Sequence, residues 1–253
     1  MRIFTGKAFV LFASVSACSF LPAGDAAAMH IADGIVPFGW AAVWYAAALP
    51  FIWLGLRRMQ TLAAEDLSMK PLVGLVAAIV FIVSCMPVPV PFIGTCSHPC
   101  GTAVAALLLG PLVAVPVALV ALLLQALFLA HGGLSTLGAN VLAMGVVGSF
   151  TAYGIFWAVR RFGAGLGAAG FCAGLAADWA TYLTTSAELA LGLQGAESFL
   201  SLFAAIAIAF APTQLPIGIL EGAMTAGVVL LLSRKRPDLL LKMRLLNAEE
   251  AKT

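Results

Sequence analysis

Imidazole is scarce in this chain, which has three histidines: His30, His98 and His131. His30 stands out because it follows Ala26-Ala27-Ala28-Met29. That small-residue run ends a short apolar stretch and reads as an A-x-A-like signal-cleavage site, with Met29 as the first mature residue. A free amine on Met29, the amide nitrogen of His30 and its Nδ1 would then close two fused chelate rings. Three nitrogens would lie in one plane, with one in-plane position open. Tetragonal nitrogen coordination suits Ni(II), Cu(II) or square-planar Co(II), and is not what Zn(II), Mg(II) or Ca(II) seek. The fourth ligand has to come from His98 or His131.

His98 sits in Gly94-Thr95-Cys96-Ser97-His98-Pro99-Cys100-Gly101-Thr102. A loop-to-helix junction is well placed to reach a neighbouring terminus, although the same residue could simply cap the next helix. Cys96 and Cys100 flank it. They read as soft metal ligands, an outward-facing disulfide or inert buried thiols, and thiolates would favour Cu(I) or Zn(II). An outward-facing thiol or redox enzyme built on this pair is the competing functional reading, beside a copper- or zinc-handling metal protein. His131, before a double glycine, reads first as a helix-terminal interfacial histidine and second as an alternative ligand. Asn140, with Ser135 and Thr136, could orient a ligand by hydrogen bonding or satisfy irregular backbone at membrane depth. Asp33 could anchor the N-terminal segment or offset metal charge. Asp178, Glu188 and Glu221 fall in apolar runs, where ionisable residues suggest function, but nothing in their spacing pairs them. Cys85 and Cys172 read as packing residues.

The elements that must position these groups are membrane helices. Of 253 residues, 62% are hydrophobic and 9% charged, against about 25% charged in a soluble domain. Residues 1–28 read as a cleavable signal peptide, with Arg2 and Lys7 before an apolar core; an uncleaved first helix and a lipoprotein-like box at Val15-Ser16-Ala17-Cys18 are the competing readings. Residues 29–253 read as one integral membrane domain, an all-α polytopic bundle. Apolar runs near the ~20-residue spanning length cover 39–56, 71–86, 102–131, 141–159, 166–191 and 199–232. Gly110-Pro111 and Pro116 interrupt the third run, which counts as two short helices. That gives about seven segments. Arg57-Arg58, Arg160-Arg161 and Arg234-Lys235-Arg236 mark the cytoplasmic side. The expectation is a plasma-membrane protein with its mature N-terminus outside, its C-terminus inside, and His30 and His98 both on the outer side. A charge of +2 gives no argument for nucleic acid. The sequence has no GxxxxGK[ST], HExxH or GxSxG motif, so a nucleotide-hydrolysing P-loop protein, a zincin and a GxSxG hydrolase are all set aside.

Met29-His30-Ile31-Ala32-Asp33-Gly34 resembles the mature N-terminus of the CbiM/NikM-type substrate-capture subunits of cobalt and nickel energy-coupling-factor transporters. Gly94-Thr95 to His98, Leu109-Gly110-Pro111, Gln125-Ala126-Leu127, His131-Gly132-Gly133-Leu134, Leu137-Gly138-Ala139-Asn140 and Met144-Gly145 follow that family's pattern in order. The match covers most of residues 29–160. Beyond that it is one of hydropathy. The resemblance implies an S-component-like bundle that captures Co(II) or Ni(II) as transported ion, with no tightly bound cofactor. It implies ligation by Met29, His30 and His98. The implied partners are a transmembrane coupling subunit, ATP-binding subunits and a small accessory membrane protein. Cys96 and Cys100 depart from the family pattern and bear on which metal is carried.

Overall fold

The computed structural model describes residues 30–86, 88–90 and 95–247, and for residues 88–90, 95 and 96 it describes the backbone. The expected signal segment 1–28, the expected ligand Met29 and the Cys96 side chain lie outside the described residues. In chain order the helices are α1 Phe38–Glu65, α2 Met69–Ser84, α3 Thr102–Leu109, α4 Pro111–Phe128, α5 Leu137–Arg161, α6 Leu166–Leu193, α7 Phe199–Lys235 and a short α8 Pro237–Lys242. Between α2 and α3, β1 Val88–Val90 and β2 Thr95–Ser97 pair antiparallel. The chain is thus an all-α membrane bundle with one small hairpin. Helices α1, α4, α5 and α7 are long and apolar enough to cross a bilayer, and α2 is a shorter apolar helix. Helix α6, at 28 residues, is ~42 Å long at 1.5 Å per residue. Its polar residues Asp178, Thr181, Thr185 and Glu188 are buried in the bundle. Helix α3 has eight residues, about 12 Å and less than half a span.

The division of the long apolar run has a local cause. Gly110 adopts φ 85° and ψ 153°, a region open to glycine alone, and Pro111 starts the next helix where its missing N–H costs nothing. Helices α3 and α4 therefore double back on each other. Two boundaries differ most from the sequence expectation. Helix α1 continues past Leu56 to Glu65 and carries Arg57, whose guanidinium stacks over the Trp53 ring at 3.8 Å; the aromatic face lets this charge remain on an apolar helix. Helix α5 begins at Leu137 rather than Val141. Gly138 lies against α1 so closely that a Cβ there would sit 2.6 Å from the backbone of Tyr45. This packing lets the last four residues of the glycine-rich stretch, Leu137–Asn140, form the first turn of a helix.

Small residues set the other close approaches, as they do where lipid removes the hydrophobic drive between helices. The buried residues of α1 are Ala41, Ala48 and Gly55, seven apart on one stripe. Helices α6 and α7 meet through Gly170, Gly174, Gly218 and Gly222; a Cβ on Gly222 would lie 2.8 Å from the carbonyl oxygen of Phe171. At the other end of the bundle, Leu240, Leu245 and Leu246 tuck the C-terminal segment under the helices, and Lys242 pairs with Asp66.

Candidate metal centre

The segment that carries His30 is fixed to the turn before α5. The Ile31 N–H donates to Asn140 Oδ1 at 2.9 Å. The Ile31 carbonyl accepts from Asn140 Nδ2 at 3.1 Å and from Thr136 Oγ1 at 2.5 Å. Asn140 thus clips both backbone groups of one buried residue, at the last position before residues Val141–Gly148 wind as a π-helix. Such irregular winding gathers where a site must be shaped. Further along, the Asp33 carboxylate accepts from the N–H groups of Leu134 at 3.1 Å and Ser135 at 2.7 Å, and from the Ser135 hydroxyl at 2.5 Å. Glycine is required at 133, because a Cβ there would lie 2.5 Å from Asp33 backbone N and Oδ1. Asp33 therefore anchors the segment to the turn. Asn140 positions the residue after His30.

His98 follows β2 and precedes α3. Its Nδ1 lies 2.9 Å from the Pro99 carbonyl. A carbonyl can only accept, so Nδ1 carries the proton and Nε2 keeps its lone pair. A backbone carbonyl that fixes the tautomer in this way is a usual companion of a metal-binding histidine. His131 comes off the end of α4 between two residues with positive φ, Ala130 at 49° and Gly132 at 76°. The chain bends on both sides of it, and its ring meets those of His30 and His98.

The three rings converge. Centroid distances are 4.6 Å for His30–His98, 5.2 Å for His30–His131 and 5.0 Å for His98–His131. One nitrogen from each lies within 4.8 Å of the others. His30 is 2% and His98 1% exposed, and the Nε2 atoms of both lack a hydrogen-bond partner among the described residues. Burial, and then the neighbouring rings His98 and His131, hold His30 well below the ordinary imidazole range. Burial and His131 bring His98 down to about 3, against the opposing Pro99 hydrogen bond. Burial also lowers His131. All three stay neutral at physiological pH, the state in which imidazole offers a lone pair to a metal.

Cys100 does not join this cluster. It is a free thiol, fully buried, and turns instead to Asp178 and Glu221. This does not fit an outward-facing cysteine pair. Sequence spacing had made His131 a secondary candidate and left Asp178 and Glu221 unpaired. The sequence signals for His131 are the scarcity of histidine and its place in His131-Gly132-Gly133-Leu134, whose glycines the structure uses to turn the chain.

Residues 30–239 match the family model described as the cobalt uptake substrate-specific transmembrane region, CbiM. The chain belongs to the CbiM family. A cobalt transport protein CbiM of Geobacter sulfurreducens is 63% identical over 96% of this chain and 70% of its own length. One from Sorangium cellulosum is 58% identical over 84% of this chain and 94% of its own. A crystal structure of a truncated transition metal transporter superposes with a TM-score of 0.71 at 27% identity, over 81% of this chain and 99% of that one. As a CbiM family member the chain is a multi-pass membrane component of a transporter and not an enzyme. The thiol-enzyme reading is set aside.

Proposed function

We propose that this chain captures a divalent transition metal, Co(II) in the first instance, at the histidine cluster and delivers it into an ATP-driven importer. The single observation that carries the site is the convergence of the chain's three histidines, far apart in sequence, into one cluster of neutral imidazoles, with His30 and His98 buried and His131 half-buried. Nitrogen ligands of this kind suit Co(II) and Ni(II) alike. The names of the relatives favour cobalt. In this reading the signal is cut before Met29, whose amine joins the His30 amide and imidazole, and His98 Nε2 or His131 completes the set. Asn140 and Asp33 hold the N-terminal segment over the cluster.

The reading also gives an orientation. Helix α3 with the loop before it makes one inward passage, because His98 at its head meets His131 at the tail of α4. The passages then number seven, α1 to α7. This supports an outer N-terminus, an outer metal site and an inner C-terminus with its basic cluster. The proposed partners are a transmembrane coupling subunit and ATP-binding subunits, with a small accessory membrane protein.

Equilibrium dialysis of the purified full-length protein tests the site. About one equivalent of Co(II) should bind at the histidines, and His30→Ala or His98→Ala should remove that equivalent. N-terminal sequencing should begin at Met29. Unchanged binding in both histidine variants would remove the cluster from the capture role.

A further inference from the structure

The loop that presents His98 presents a second group of ligands two residues on. Cys100 Sγ and one carboxylate oxygen each of Asp178 and Glu221 lie within 4.8 Å of one another. All three residues are buried: Cys100 and Asp178 are 0% and Glu221 1% exposed. Among the described residues, both oxygens of Asp178 lack a hydrogen-bond partner. So do the hydroxyls of Thr102, next in the chain but one after Cys100, and Thr225, one turn along α7 from Glu221. Glu221 is better served. It accepts from the N–H groups of Cys100 at 2.5 Å and Gly101 at 2.9 Å, and from that of Ala103, capping the start of α3. A carboxylate offers about four lone-pair sites, so one remains open.

Fixed positive charge is missing from this place. Among the described residues no Lys or Arg is buried. Two acids and a thiol within the bundle, without a cationic side chain, are costly and mark ion pathways more often than structure. The donor set of one sulfur and carboxylate oxygens suits a borderline divalent ion such as Co(II) better than Mg(II) or Ca(II). Two residues of extended chain reach ~7 Å, so the two clusters stand close, on one loop.

We propose that Cys100, Asp178 and Glu221 form a second divalent transition-metal site, an inner stop for the ion taken first at the histidines. The histidine reading supplies the identity of the ion; the inner site rests on its own ligands. The ion moves between the two by ligand exchange, leaving imidazole nitrogen for sulfur and carboxylate oxygen with no change of oxidation state; Cys100 binds as the thiolate and its proton is released as the metal binds. Asp178, with both oxygens unspent, is the residue that draws it inward.

Titration of the full-length protein in detergent with Co(II) tests this. Two equivalents should bind, the second bringing a near-ultraviolet thiolate-to-cobalt charge-transfer band. Cys100→Ser should remove the band and weaken the second equivalent by about tenfold or more. It should keep the first, which also reports an intact fold. Asp178→Asn should weaken the second equivalent likewise, and Cys96→Ser should leave the band in place. A double variant, His30→Ala with His98→Ala, should lose the first equivalent and keep the band. If those histidine changes spare the first equivalent, the capture reading fails while the band still supports the inner site. No band at saturating Co(II), or a band that survives Cys100→Ser, overturns the inner site alone.

Discussion

At the residue scale, the proposed metal centre depends on side chains outside its ligand set. Asn140 satisfies both the N–H and the carbonyl of Ile31. In Asn140→Ala the Ile31 carbonyl keeps Thr136, but the buried N–H loses its acceptor, at a cost of about 1–3 kcal/mol. Co(II) affinity should fall about ten- to a hundredfold with helix content unchanged by circular dichroism. Wild-type affinity would show that Asn140 does not position His30. Asp33 makes a different prediction, in pH. The Ser135 hydroxyl holds its carboxyl below the ordinary range; burial opposes this, and the N–H groups of Ser135 and Leu134 assist. A depressed folded value means that the detached segment takes up the proton first. The anchor is therefore fully present above the free carboxyl value of about 3.9 and is lost as pH falls through the lower folded value. Amide protection at Leu134 and Ser135, taken relative to the intrinsic exchange rate at each pH, should be flat from neutral pH to about 5 and fall steeply below about 4. Asp33→Asn should abolish that step.

At the element scale, the decisive feature is the break between α3 and α4. Gly110 meets nothing within 4 Å of an added Cβ, so space does not explain it; conformation does, at φ 85° and ψ 153°. Gly110→Ala should destabilise the protein by about 1–3 kcal/mol. The contrasting Gly74→Ala, in the interior of α2 with equally open space, should be stabilising by about 0.5–1 kcal/mol. Thermal unfolding in detergent measures both. Equal effects at the two positions would mean that the turn is not set by its backbone. The half-length α3 matters for function because its head is where His98 and Cys100 diverge, one to the histidines and the other to the carboxylates.

At the scale of the whole molecule, the two ends of the bundle differ. A Cβ on Gly192, at the end of α6, would lie 3.0 Å from Val36 of the metal-site segment, so the loop holding Ser198 shares that end. Lys70 and the Lys242–Asp66 pair mark the other. Ser198→Cys should react with a membrane-impermeant maleimide in intact cells, and Lys70→Cys only after permeabilisation. The reverse pattern would invert the orientation and put the histidines inside.

Much of this was written in the linear chain. Long apolar runs forced membrane helices, because backbone groups in lipid must be satisfied within the segment. Gly110-Pro111 announced a broken helix, since each residue constrains its own dihedrals without help from distant contacts. His30 and His98 could be singled out from a cleavage-like run and a loop junction, both local signals. Other facts were decided by folding alone. Nothing near His131 says that it meets two rings from other parts of the chain, and nothing near Asp178 or Glu221 says that they share a space with Cys100. The start of α5 moved to Leu137 because Gly138 found Tyr45 on another helix. Local geometry is encoded by neighbours in sequence, whereas the meeting of distant side chains depends on how closely helices approach. That approach is set jointly by small residues on both partners and can be read only once they are packed.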